Sequence, residues 1–122
     1  MKYRRFEDLP AWKAAIELAI RVCELTSKEG FRGFSGLRDQ LQRAVLSISN
    51  NIAEGFERFH YKDKAKFYYQ SRGSLAEVQN FLLLSRDLGY LEKKTCRSIG
   101  LALIDTHKLL NGLIRATEQN IR

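Results

Sequence analysis

Glu54, Glu77 and His107 are the residues whose types could support metal or acid–base chemistry, and they fall on three different predicted helices. A di-iron centre in a helical bundle draws one Glu from each of two helices and a Glu-x-x-His pair from each of two others. Here Ile104 stands three residues before His107, and Glu57 stands three before His60 in a predicted connection. That pattern supplies too few ligands, so no metal and no other cofactor is expected. If the chain turns back on itself between Gly55 and His60, Glu54 and Glu77 are separated by two or more helical turns at about 5.4 Å each, too far to share a proton-transfer step. The serines are dispersed and the two histidines have no triad-like spacing. The segment GFRGFSG lacks the P-loop lysine and follows no strand, so phosphate-cradling chemistry is not expected either. An enzyme is the weak reading.

Binding chemistry has more support. The segment from Arg58 to Arg72, RFHYKDKAKFYYQSR, carries Arg58, Lys62, Lys64, Lys66 and Arg72 against Asp63, interleaved with Phe59, Tyr61, Phe67, Tyr68 and Tyr69. Cations neutralise phosphates, and aromatic faces stack on unpaired bases. Arg58, Lys62, Lys64 and Lys66 are therefore the expected nucleic-acid contacts. The competing expectation is that Phe67 and Tyr68 belong to the core and the lysines merely solvate a helix. Lys2, Arg4 and Arg5 form a second basic cluster. The whole chain has 21 Lys plus Arg against 14 Asp plus Glu, a net charge of +7 that favours polyanionic partners such as RNA or DNA.

The stretch from Gln40 to Gly55 must position these residues. Leu41, Ala44, Val45, Ile48 and Ile52 recur every three or four positions and form one apolar helix face. Arg43, Ser47, Asn51 and Glu54 make a second, polar stripe beside it. The expected partners are structural. Arg43 should pair with Glu77 and Asn51 should hydrogen-bond across the bundle, with Glu54 in the same polar network, so that register is specified.

The remaining elements follow from punctuation and periodicity. A first helix should start near Leu9, with Pro10 in its first turn, and run to about Ser27. Three glycines between Glu29 and Gly36 mark a break, and Ser35 is a candidate cap for the second helix, which should end near Gly55. The third should run from about Tyr61 to Leu88, with Gly73 admitting a neighbouring helix and Gly89 acting as a left-handed stop. Thr95 is the candidate cap of the fourth, whose core stripe reads Ile99, Leu103, Leu110, Leu113 and Thr117. The expectation is an all-α, up-down-up-down antiparallel four-helix bundle occupying residues 1–122 as a single domain. Cys23 and Cys96 lie on apolar faces without a CxxC pair, so neither zinc nor a disulfide is expected. No run is long and apolar enough for a signal peptide or membrane span, which points to the cytoplasm. The first helix has a wider apolar arc than one monomer needs, which hints at contact with another subunit.

Phe6-Glu7-Asp8-Leu9-Pro10-Ala11-Trp12, Arg43-Ala44, Ser47-Ile48, Asn51-Ile52-Ala53-Glu54-Gly55 and Gly73-Ser74-Leu75-Ala76-Glu77 together closely resemble the bacterial four-helix-bundle proteins encoded within intervening sequences of 23S ribosomal RNA genes. The resemblance spans nearly the whole chain. Ser49 stands where members often carry proline, so the kink that proline would impose is not implied here. The resemblance implies an up-and-down bundle assembled as a ring-like homopentamer. The chain is also similar to the accessory proteins of diversity-generating retroelements, basic pentamers that associate with a reverse transcriptase and nucleic acid. The family name records gene location, which does not itself imply binding to ribosomal RNA. The expected function is a non-enzymatic, basic, oligomeric protein that associates with nucleic acid, with structured RNA the expected class, through phosphate contacts. The alternative is a protein-interaction scaffold, or an accessory subunit of an enzyme such as a reverse transcriptase, without direct RNA recognition.

Overall fold

The three-and-four spacing of apolar residues resolves into four helices in the computed structural model, which describes residues 3–28, 31 and 35–121. After a short 3-10 turn at Phe6–Asp8 come α1 (Pro10–Thr26), α2 (Ser35–Glu57), α3 (Tyr61–Asp87) and α4 (Lys93–Glu118). No strand occurs among the described residues. Pro10 occupies the first turn of α1, where its missing N–H would have had no helical partner. At the other end Thr26 Oγ1 donates to the Val22 carbonyl at 2.8 Å and Ser27 Oγ to that of Cys23 at 2.7 Å, satisfying carbonyls of the last turn. Most of the Glu29–Gly36 break lies outside the described residues, but Phe31 within it is buried.

Gly89 ends α3 with φ of 86°, while its N–H donates to the Arg86 carbonyl and that of Tyr90 reaches back to Ser85 at 2.9 Å. This paired hydrogen bonding is a Schellman stop, and its positive φ favours glycine. The expected cap at Thr95 is corrected to Glu92. Buried Leu91 anchors the short turn, and the chain re-enters helix at Lys93, leaving Thr95 inside α4. On α4 the expected core position at Leu113 passes to Ile114, which is buried between Leu110 and Thr117 on the same stripe.

The apolar faces meet in one core, with Leu18 and Val22 from α1, Leu41, Val45, Ile48 and Ile52 from α2, Tyr68, Val78 and Leu82 from α3, and Ile99, Leu110 and Ile114 from α4. Contacts establish the antiparallel arrangement. As the α2 position rises through Arg43, Ser47, Ile48 and Phe56, its α3 partner falls through Glu77, Ser74, Ser71 and Lys64. Between α3 and α4 the same reversal runs through Tyr69 with Glu118, Arg72 with Asn111 and Leu82 with Cys96. Gln42 joins α2 to Thr26 of α1, and Arg21 of α1 joins Ser98 of α4, closing the bundle.

Close approach of helices occurs at Gly55, not at Gly73. A Cβ on Gly55 would stand 2.7 Å from Tyr68 Cε1 and 2.9 Å from Phe67 Cβ, whereas one on Gly73 would meet nothing within 4 Å. Gly55 continues the Ile48 and Ile52 core stripe, while Gly73 faces outward. Cys23 and Cys96 are free thiols. Among the described residues no helix is long and apolar enough to cross a membrane.

Candidate nucleic-acid interface

The α2–α3 corner is built on the Gly55 contact, which lets Tyr68 bring the first turns of α3 against the end of α2. Arg58, Phe59 and His60 make the turn between them, tied at one end by the Arg58 N–H to the Gly55 carbonyl at 3.2 Å. The expected contacts separate here according to helix face. Lys62 and Lys66 are exposed, one turn apart, and border a cavity of about 600 Å³ with Tyr69, Gln70 and Glu118. Arg58 is exposed and its guanidinium lies 4.5 Å from the centre of the Phe67 ring. That stacking leaves guanidinium edges available to an anion.

Lys64 does not share that surface. It is 7% exposed, its Nζ donates to the main-chain oxygen of Phe56, and the ammonium lies 5.3 Å from the Phe56 ring centre. Burial holds its pKa below the ordinary lysine range, partly opposed by Glu57. The spacing was informative, because Lys64, Tyr68, Ser71 and Leu75 step by four, three and four along one face, and all are buried.

Phe59 stands 88% exposed at the tip of the turn, in a T-shaped contact with His60 at 5.1 Å between ring centres. A second cavity, about 740 Å³, joins Phe59, His60, Tyr61 and Lys62 to Asn120 and Ile121 beyond α4. Asp63 lines both cavities and Glu118 the first. Glu118 accepts a hydrogen bond from the Tyr69 hydroxyl, which raises the tyrosine pKa. Arg72 leans over the Tyr69 ring at 5.0 Å and donates to Asn111, placing it farther along the α3–α4 seam. Phe6 lies beside Ala53, Glu54, Glu57 and Arg58, so the Arg4–Arg5 cluster belongs to this same end of the bundle. Arg5 is paired with Glu7 at 2.6 Å, and Lys2 lies outside the described residues.

The polar stripe faces α3. Arg43 Nη2 donates to Glu77 Oε2 at 2.8 Å and to Gln40, and the Ser47 and Ser74 hydroxyls meet at 2.8 Å. Asn51 does not itself cross the bundle. Its amide donates to the Ser47 carbonyl at 2.9 Å and hydroxyl at 3.0 Å on its own helix, because Ser47 stands one turn away and already holds the contact to α3. Glu54 is exposed at the α2 end, away from these bonds. Among the described residues no group of three or more His, Cys, Asp or Glu is arranged to hold a metal. Sequence reasoning passed over Lys93, Lys94 and Arg97, exposed at the start of α4 and the opposite end of the bundle. The run EKKTCR was their signal.

A sequence model of the 23S rRNA-intervening sequence protein family matches residues 7–112. The chain belongs to that family. The matched span includes the polar stripe and the entire Arg58–Arg72 segment. No curated protein matches the chain. A crystal structure of a protein of unknown function from the S23 ribosomal protein family of Bacteroides thetaiotaomicron is similar, with a TM-score of 0.77 and 20% identity over 85% of this chain and 97% of that one. That likeness independently supports the four-helix arrangement.

Proposed function

We propose that the chain is a non-enzymatic, cytoplasmic protein that associates with RNA through phosphate contacts at the α2–α3 corner. The observation that carries this reading is the exposure of Lys62 and Lys66 on successive turns of α3, with Arg58 exposed in the turn that precedes that helix. Such cations add affinity with little sequence readout. Lys64 is assigned to the fold because its ammonium is directed at the Phe56 carbonyl. Arg43, Ser47, Ser74 and Glu77 are assigned to the α2–α3 register, and Asn51 braces Ser47 on its own helix. The +7 net charge supports a polyanionic partner.

Exposed Ile20 on α1 and Leu101, Ile104 and Leu109 on α4 support association with further copies of the chain. Five copies is the number implied by the family resemblance. A ring would repeat the basic corner and add weak contacts through multivalency. The same apolar residues favour a second reading, an accessory or scaffold protein that docks on a nucleic-acid enzyme without touching RNA.

Purified, nuclease-treated protein titrated with structured RNA across a salt series, with oligomeric mass measured in parallel, tests the first reading. Binding that weakens steeply with salt and is lost in K62E/K66E, but kept in the opposite-end variant K93E/K94E, is the expected result. An intact oligomer that binds no RNA at low salt would transfer support to the scaffold reading.

A further inference from the structure

We propose that Phe59 is a stacking platform for an unpaired base, so that the α2–α3 corner selects single-stranded or looped RNA over duplex. The inference rests on the phosphate-binding reading of the same corner and adds the class of RNA. Among the described residues Phe59 is the most exposed of the large apolar side chains, at 88% against 63% for Leu101, so it contributes little to the core. It stands at the tip of the Arg58–His60 turn, where its T-shaped contact with His60 orients the ring while leaving ring surface open. Arg58 precedes it directly and Lys62 follows three residues later, so a cation stands on either side of Phe59 in the chain. Phe59 and Lys62 also line one cavity of about 740 Å³, within the size range of clefts that admit small planar groups.

Charge distribution favours one strand over two. Asp63 lies between Lys62 and Lys66, and Glu118 faces the same side, so the positive surface is short and interrupted. A duplex presents two rows of phosphates and hides its base faces, leaving the Phe59 ring without a partner. A single strand can place one base on the ring and its flanking phosphates near Arg58 and Lys62.

The test is fluorescence anisotropy of the full chain with two labelled RNAs carrying equal numbers of phosphates, an unstructured uridine-rich strand and a fully paired duplex. The wild-type chain should favour the single strand. F59A and F59L should each lose about tenfold in single-strand affinity with little change toward duplex, and F59W should restore it. Circular dichroism verifies that each variant keeps its helices. Equal wild-type affinity for the two RNAs, with binding still sensitive to K62E/K66E, would overturn the stacking inference alone. Absence of binding to either RNA would overturn both it and the phosphate-binding reading. If F59A leaves RNA selectivity intact but abolishes binding to vesicles of anionic phospholipid, the exposed ring serves a lipid surface and the proposal fails.

Discussion

Lys64 Nζ donates to the main-chain oxygen of Phe56, eight residues earlier, and so ties the first turn of α3 to the last turn of α2. Burial of Lys64 penalises its charged form, so the aliphatic stem contributes more to stability than the ammonium. K64M should therefore stay within about 1 kcal/mol of wild type in urea unfolding, whereas K64A, which removes the packed stem, should lose about 2 kcal/mol. Equal large losses in the two variants would assign the stabilisation to the charge. K64M should also retain RNA binding that K62E/K66E loses.

The helical glycines should respond in opposite directions to alanine. At Gly55 the new methyl would collide with Tyr68 and Phe67, and overpacking should cost about 1–3 kcal/mol even after the gain in helix propensity. At Gly73 the methyl meets nothing, so alanine should stabilise the chain by about 1 kcal/mol. Denaturation midpoints of G55A and G73A at one protein concentration compare the two directly, and a stabilised G55A would contradict the close-approach account.

Tyr68 gives stability an alkaline limit. It is buried, and burial pushes its phenol well above the ordinary value of 10.0. The unfolded chain releases this proton near pH 10 while the folded chain holds it, so above pH 10 the folded state binds more protons. The contribution is full below that pH, and stability falls as pH rises toward the folded value. Y68F cannot titrate, so its urea midpoint should decline less steeply than wild type between about pH 10 and pH 11. Parallel profiles would remove Tyr68 from the explanation.

Salt dependence should count the contacts at the corner. Replacing Lys62 or Lys66 with alanine should lower the slope of log affinity against log salt by about 1 in each case, without changing preference among RNA sequences. K64A and R43A should leave the slope unchanged even where they alter stability. A change in sequence preference in the Lys62 variant would mean that it reads bases.

Helix faces explain what was legible in the sequence. The antiparallel return about Gly55 to His60 follows from a short connection between two periodic segments, and the Arg43 and Glu77 positions followed by counting outward from it. The Gly89 stop was legible because few other residues accept a φ of 86°. Lys64 was grouped with Lys62 and Lys66 because composition weighs every lysine in a run alike, while its membership of the Tyr68 face depends on angular position. Gly55 and Gly73 differ for the same reason, since only Gly55 lies on a core stripe. Asn51 was less accessible, because a side chain facing a neighbouring helix can bond to its own helix first. Phe59 could be read as part of an aromatic-basic segment, but its 88% exposure depends on where the α2–α3 turn ends.

The most extensive of the helix pairings joins α2 and α3, and these are also separated by only three residues. Joining them requires closure of a short loop, whereas α1 and α4 must be gathered from opposite parts of the sequence. The α2–α3 hairpin can therefore nucleate folding before the outer helices arrive. Substitution of Ser71, whose hydroxyl donates to the Ile48 carbonyl at 2.8 Å, should slow refolding, whereas substitution of Arg21 at the α1–α4 contact should chiefly hasten unfolding. The corner assigned to RNA would then be among the first parts of the molecule to take shape as the chain folds.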